Sequence, residues 1–168
     1  RSNRSQTDWY NKYYVFTIDY IFGNHGLKYN VVDITKANGL GKVTTKNVTL
    51  NSTAEEKLTA VRHRNNEDIW VITHTPNNNS FYAYLVTANG INTTPVISSV
   101  GSNYIYTQGY LKASPDGSKL AAACYTHHMF EVFDFNNQTG VISNAITVTG
   151  YPYAAGVEFS PDGKLLYV

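Results

Sequence analysis

The chain has 168 residues, 13 Lys+Arg against 12 Asp+Glu, and charged residues at only 15% beside 42% hydrophobic ones. A chain of this length buries roughly 70% of its unfolded surface, so it can build a core. The formal charge of +1 gives no electrostatic case for nucleic acid or an anionic membrane, and the low charge content excludes a charged disordered tail. No run approaches the ~18 consecutive apolar residues of a spanning helix, so membrane insertion is not expected.

Strand-like segments follow one another from the start. The first set is Tyr13 to Ile18, Leu27 to Ile34 and Val43 to Leu50. Leu58 to His63, Asp68 to His74, Phe81 to Thr87 and Thr94 to Val100 form the second. Tyr110 to Ser114, Lys119 to Tyr125, Met129 to Phe135 and Val141 to Val148 form the third, and Ala155 to Ser160 with Lys164 to Val168 begin a fourth. Turn-forming residues separate them at Asn38-Gly39, Asn77 to Asn79, Asn89-Gly90 and Asn136 to Gly140. Only Thr53 to Leu58 could form a helical turn. Fourteen tyrosines, in a chain that is 14% aromatic, agree with a strand-rich fold.

One hairpin recurs. Ser114-Pro115-Asp116-Gly117-Ser118-Lys119-Leu120 returns as Ser160-Pro161-Asp162-Gly163-Lys164-Leu165, 46 residues on, and a degenerate copy fits Arg62 to Asp68. Pro presets φ at the second turn position, Asp bonds to the backbone ahead, and Gly takes the positive φ. Four short antiparallel strands per ~40–50 residues, repeated, mark β-propeller blades. A β-sandwich shares the short strands but gives no reason for the repeat. The sequence therefore predicts an all-β, partial β-propeller of four-stranded antiparallel blades. Its blades fall near 13–50, 58–100, 109–148 and, incomplete, 154–168, about three and a half in all. The opening Arg1-Ser2-Asn3-Arg4 and the closing Lys164 to Val168 read as cuts in a larger ring, since an open half-ring leaves unpaired edges.

The run Val132-Phe133-Asp134-Phe135 to Ser143, followed by Val157-Glu158-Phe159-Ser160 to Val168, resembles the YVTN and lactonase-like propeller family. Its hairpin is shared with TolB-type repeats, so it specifies fold better than activity. Tyr13 to Asp19, Gly26 to Asp33, Gly39 to Val43, Glu56 to Val61, Asp68 to His74 and Phe81 to Leu85 resemble N-terminal propeller regions of large Bacteroidetes surface proteins. Those carry a gliding-motility-type C-terminal sorting domain and are exported by type IX secretion. The resemblance implies an extracellular or outer-surface location on a Gram-negative bacterium.

Catalytic patterns are sparse. There is no G-x-S-x-G elbow, and Gly39-Leu40-Gly41-Lys42 lacks the spacing of a phosphate cradle. The five histidines, His25, His63, His74, His127 and His128, show no ligand spacing, so no metal and no cofactor is expected. Asp134 to Gly140 resembles a calcium loop, but a hairpin turn explains it. Glu55, Glu56, Glu67, Asp116 and Asp162 map to turns and linkers; Glu131 and Glu158 alone lie inside strands, where exposure at a blade edge is expected. Asp19 and Asp33 read as turn-formers ending strands, and Cys124 as a small buried hydrophobe. Six N-x-S/T sequons, including Asn3, follow from the Asn- and Thr-rich composition.

Tyr104, Tyr106, Tyr110, Tyr151 and Tyr153 precede the first strands of blades and predict an aromatic binding rim for a protein or glycan ligand, unless they pack between blades. The expectation is a non-catalytic binding or scaffolding module, not an enzyme, whose other partners are the remaining blades or domains of its own chain. Two alternatives stay open: a lactonase-like hydrolase with catalytic residues in missing blades, and a spacer presenting distal adhesive domains.

Overall fold

A computed structural model describes residues 11–20, 23–54, 56–105 and 108–168. Every sheet in it is antiparallel. The first holds β1 (Lys12–Thr17), β2 (Leu27–Asp33) and β3 (Lys42–Asn51) in sequential order. The second runs β4 (Leu58–Arg62), β5 (Ile69–His74) and β6 (Asn78–Thr87), whose outer edge is shared by β7 (Gly90–Ile91) and β8 (Val96–Tyr104). The third runs β9 (Leu111–Ala113), β10 (Lys119–Cys124), β11 (Met129–Asn136) and β12 (Val141–Thr149), and β13 (Glu158–Phe159) pairs β14 (Leu166–Tyr167). The sheets are successive propeller blades. Residues 51–58 form no helix among those described; the short helical turns are 3-10, at Ala37–Gly39 and Tyr125–His127.

The repeated hairpin closes in the same way each time. Ser114 and Ser160 hydroxyls donate to Asp116 and Asp162, each 2.6 Å away, and each serine oxygen accepts the backbone N–H five residues on. Gly117 and Gly163 both stand at φ 69°. In the degenerate copy Asn65 replaces the Asp, accepting the Glu67 N–H at 3.0 Å, and Asn66 takes the left-handed position at φ 62°. The chemistry of the turn survives although only its geometry is shared, because Asn tolerates αL and bonds its own backbone.

The core lies between the blades. Along β10, alternation sends Leu120, Ala122 and Cys124 into the seam with the second blade, and Ala121 and Ala123 into the seam with the fourth. A strand buried on both faces has no polar phase, which is why this segment reads as a continuous apolar run. Leu27, Ala54 and Tyr84 close the seam between the first and second blades. Gly140, at φ 78°, illustrates the fit: a Cβ there would lie 2.7 Å from the Trp70 ring, whose Nε1–H donates to Asn137 O at 2.9 Å. The Asn136 to Gly140 segment is thus a turn that locks one blade to the next.

Candidate functional site

The β1–β2 loop and the linkers before β4, β9 and β13 meet at one end of the blades. Ile18 to Tyr20 from the first blade, Glu56 from the second, Gln108 to Tyr110 from the third and Ala155-Gly156 from the fourth line one cavity of about 680 Å³. Two smaller depressions continue it along the inner strands, past Leu58 and Lys112 on one side and past Glu158 and Tyr167 on the other. Tyr110, 64% exposed, borders all three. Together the three form one open mouth between the blades.

Asp19 is fixed by its own loop. Its carboxylate accepts the Tyr20 N–H at 3.1 Å and the His25 N–H at 2.8 Å, and His25 Nδ1 lies 3.1 Å from Oδ2. A Cβ on Gly23 would overlap the carboxylate, so glycine is required for the loop to wrap it. The His25 backbone N–H is the chief reason the Asp19 carboxyl stays below the usual carboxylate range. The expected turn-former is therefore also an ionised group at the mouth, holding an imidazole that is 72% exposed. Glu56 follows closely, since its N–H donates to Asp19 O at 2.8 Å, and its backbone is held at φ 50°. A left-handed glutamate is costly, and such strain concentrates at functional sites. Deeper in the channel Lys112 pairs with Glu158 at 2.8 Å, and that lysine holds the Glu158 carboxyl below its ordinary range.

Behind the mouth, the seam between the second and third blades encloses a second polar group. Glu131, expected at an exposed edge, is fully buried. It accepts from Ser102 N–H (3.1 Å) and Oγ (2.8 Å), Tyr104 Oη (2.7 Å) and Thr147 Oγ1 (2.6 Å). The physical reason is register: Met129, Glu131, Phe133 and Phe135 share one face of β11, and the other three belong to the core. Lys57, 2% exposed, donates to Gly109 O at 3.1 Å and Ala123 O at 2.8 Å, and lies 5.3 Å from the Tyr104 ring centroid. Gly109 can approach only because it lacks a side chain; at φ 128°, a Cβ would stand 2.5 Å from Ala123 O. Burial pulls the Lys57 ammonium below its ordinary range.

His74 meets Phe81 edge-to-face (4.6 Å) and Tyr104 at a tilt (4.3 Å), and its Nε2 is buried without a hydrogen-bond partner. Burial, reinforced by the Lys57 charge, drives its pKa down to about 3. Cys124 is buried as expected, and burial pushes its thiol up to about 11.

The aromatic rim separates into different fates. Tyr104 corrects the expectation: it ends β8, is 2% exposed and serves the Glu131 network rather than a rim. Tyr106 lies outside the described residues, as do Asn3 and Glu55. Tyr110 borders the channel mouth. Tyr151 and Tyr153 are half- to two-thirds exposed beside a further depression that shares Ala155 and Gly156 with the main cavity, packing on Phe130 and on Tyr125 and His128. Sequence reasoning missed Asp19 and Glu56 because their separation of 37 positions carries no motif; only the blade period could have aligned them. Among the described residues no group of three His, Cys, Asp or Glu side chains could hold a metal ion.

No protein-family model matches the chain, and no curated protein matches it either. Solved structures do. A Bacteroides fragilis protein described as a candidate 6-phosphogluconolactonase is similar at TM-score 0.59 and 16% identity, over 98% of this chain and 46% of that one. The periplasmic gluconolactonase of Pseudomonas aeruginosa follows at 0.57 and 15%, over 92% and 46%. A Lactobacillus plantarum protein stands at 0.54 and 12%, over 83% and 38%. The chain thus has a lactonase-like propeller fold and spans less than half the length of these neighbours. The expectation of a non-enzyme is corrected here, because two of these neighbours carry lactonase names.

Proposed function

We propose that this chain forms part of a lactonase-like hydrolase that opens a small cyclic ester at the channel mouth. The observation that carries the reading is the convergence of linkers from four blades on one cavity bearing Asp19 and Glu56. In this reading Glu56 takes a proton from water as the water oxygen attacks the lactone carbonyl carbon. The ring C–O bond then breaks, and the departing oxygen receives a proton from His25, which Asp19 orients through Nδ1. The product is the open hydroxy acid, and proton exchange with water restores both groups. Gln108 and Tyr110 bind hydroxyls of the substrate. The likeness of the first half to Bacteroidetes surface proteins supports an exported setting for the enzyme.

The test is steady-state hydrolysis of D-glucono-1,5-lactone by the native full-length protein. Glu56→Gln and His25→Ala should each lower kcat/KM by roughly 100-fold, the usual contribution of one positioned acid or base. Absence of hydrolysis in the native protein, or unchanged rates in both variants, would overturn the reading.

A further inference from the structure

We infer that the mouth takes an uncharged sugar lactone and rejects its phosphorylated counterpart. The inference rests on the lactonase reading and adds the substrate class. Three carboxylates border the continuous cavity, Asp19, Glu56 and Glu158, against one exposed ammonium, Lys112. That ammonium is already committed to Glu158 at 2.8 Å, so the wall offers no unpaired cation among the described residues. The His25 imidazole is held by the Asp19 carboxylate at 3.1 Å, and Lys57 is buried, donating to Gly109 O and Ala123 O.

Phosphate recognition asks for the opposite arrangement, an Arg or Lys fork or a cradle of backbone N–H groups. Here four N–H groups at or beside the mouth are spent. Those of Tyr20 and His25 go to the Asp19 carboxylate, that of Glu56 goes to Asp19 O, and that of Tyr110 goes to Ala155 O at 2.9 Å. A phosphate dianion would therefore meet net negative charge and find none of these donors. A neutral polyol meets carboxylate acceptors for its hydroxyls and the exposed face of Tyr110 for its carbon skeleton. The same field acts on the product, since ring opening creates a carboxylate that the mouth repels and releases.

The test compares kcat/KM of the native full-length protein for D-glucono-1,5-lactone and for its 6-phosphate. The neutral substrate should be preferred by about tenfold or more at low ionic strength, and the gap should narrow as salt screens the mouth. Glu158→Gln, which frees Lys112, should raise the ratio of phosphorylated to neutral turnover severalfold. Preference for the phosphorylated lactone overturns this inference and leaves the lactonase reading standing. A neutral preference that neither salt nor Glu158→Gln alters overturns the electrostatic cause. Failure to hydrolyse either substrate overturns the lactonase reading and this inference with it.

Discussion

The channel mouth and the seam behind it meet at two consecutive residues, and they treat polar groups in opposite ways. Glu56 borders the open cavity, whereas Lys57 is 2% exposed and tied to two carbonyls of the neighbouring blade. In the seam every oxygen of Glu131 is occupied, by donors from β8 and β12. At the mouth Asp19 is half committed to its loop and half to an exposed imidazole. A saturated buried network specifies how two blades dock, and groups facing solvent are left for chemistry. The difference assigns stability to the seam and, in the proposed lactonase reading, turnover to the mouth.

The largest expected effect breaks the seam. Glu131→Gln replaces one acceptor oxygen with an NH2 donor facing converging donors, and should cost about 3 kcal/mol of unfolding free energy by chemical denaturation. Gly140→Ala attacks the same interface sterically, with a Cβ at 2.7 Å from Trp70 and a disfavoured φ of 78°, and should cost about 2 kcal/mol. An unaltered denaturation midpoint in either variant would separate the seam from stability.

His74 sharpens the comparison through pH. Its folded pKa of about 3 lies below the ordinary 6.5, so between these values the unfolded chain binds a proton that the folded chain refuses. Stability is present in full above pH 6.5 and falls as pH drops toward 3, by at most ~1.4 kcal/mol per unit from this group. His74→Phe removes both the titration and the unpartnered Nε2, and should flatten the acid limb of a melting-temperature profile. An unchanged acid limb would show that His74 is not its source. The smallest effect belongs to the repeated turn. Ser114→Ala removes bonds to Asp116 and to the Lys119 N–H and should cost about 1 kcal/mol, measured in the same denaturation series.

Much of the fold could be read from the chain. The Ser-Pro-Asp-Gly hairpins carry their own mechanics, and both close as their residues dictate. The two-sided burial of β10 was visible in Leu120 to Cys124. Glu131 was legible in principle, because it occupies the apolar phase of Met129, Phe133 and Phe135, yet a lone glutamate among aromatics gives no hint of its four donors. The mouth was not legible. Asp19 and Glu56 belong to different blades, and they meet because the packing of neighbouring blades sets the β1–β2 loop against the linker into β4. Tyr104 misled because a linker tyrosine and the last residue of a long outer strand look alike in sequence.

The most direct measurement is paired: kcat/KM on D-glucono-1,5-lactone and the denaturation midpoint, for Glu56→Gln and Glu131→Gln in the native full-length protein. Glu56→Gln should lose turnover and keep its midpoint, whereas Glu131→Gln should lose midpoint and, while folded, keep turnover within a few-fold. The reverse assignment, or loss of both properties in both variants, would contradict the division between a catalytic mouth and a structural seam.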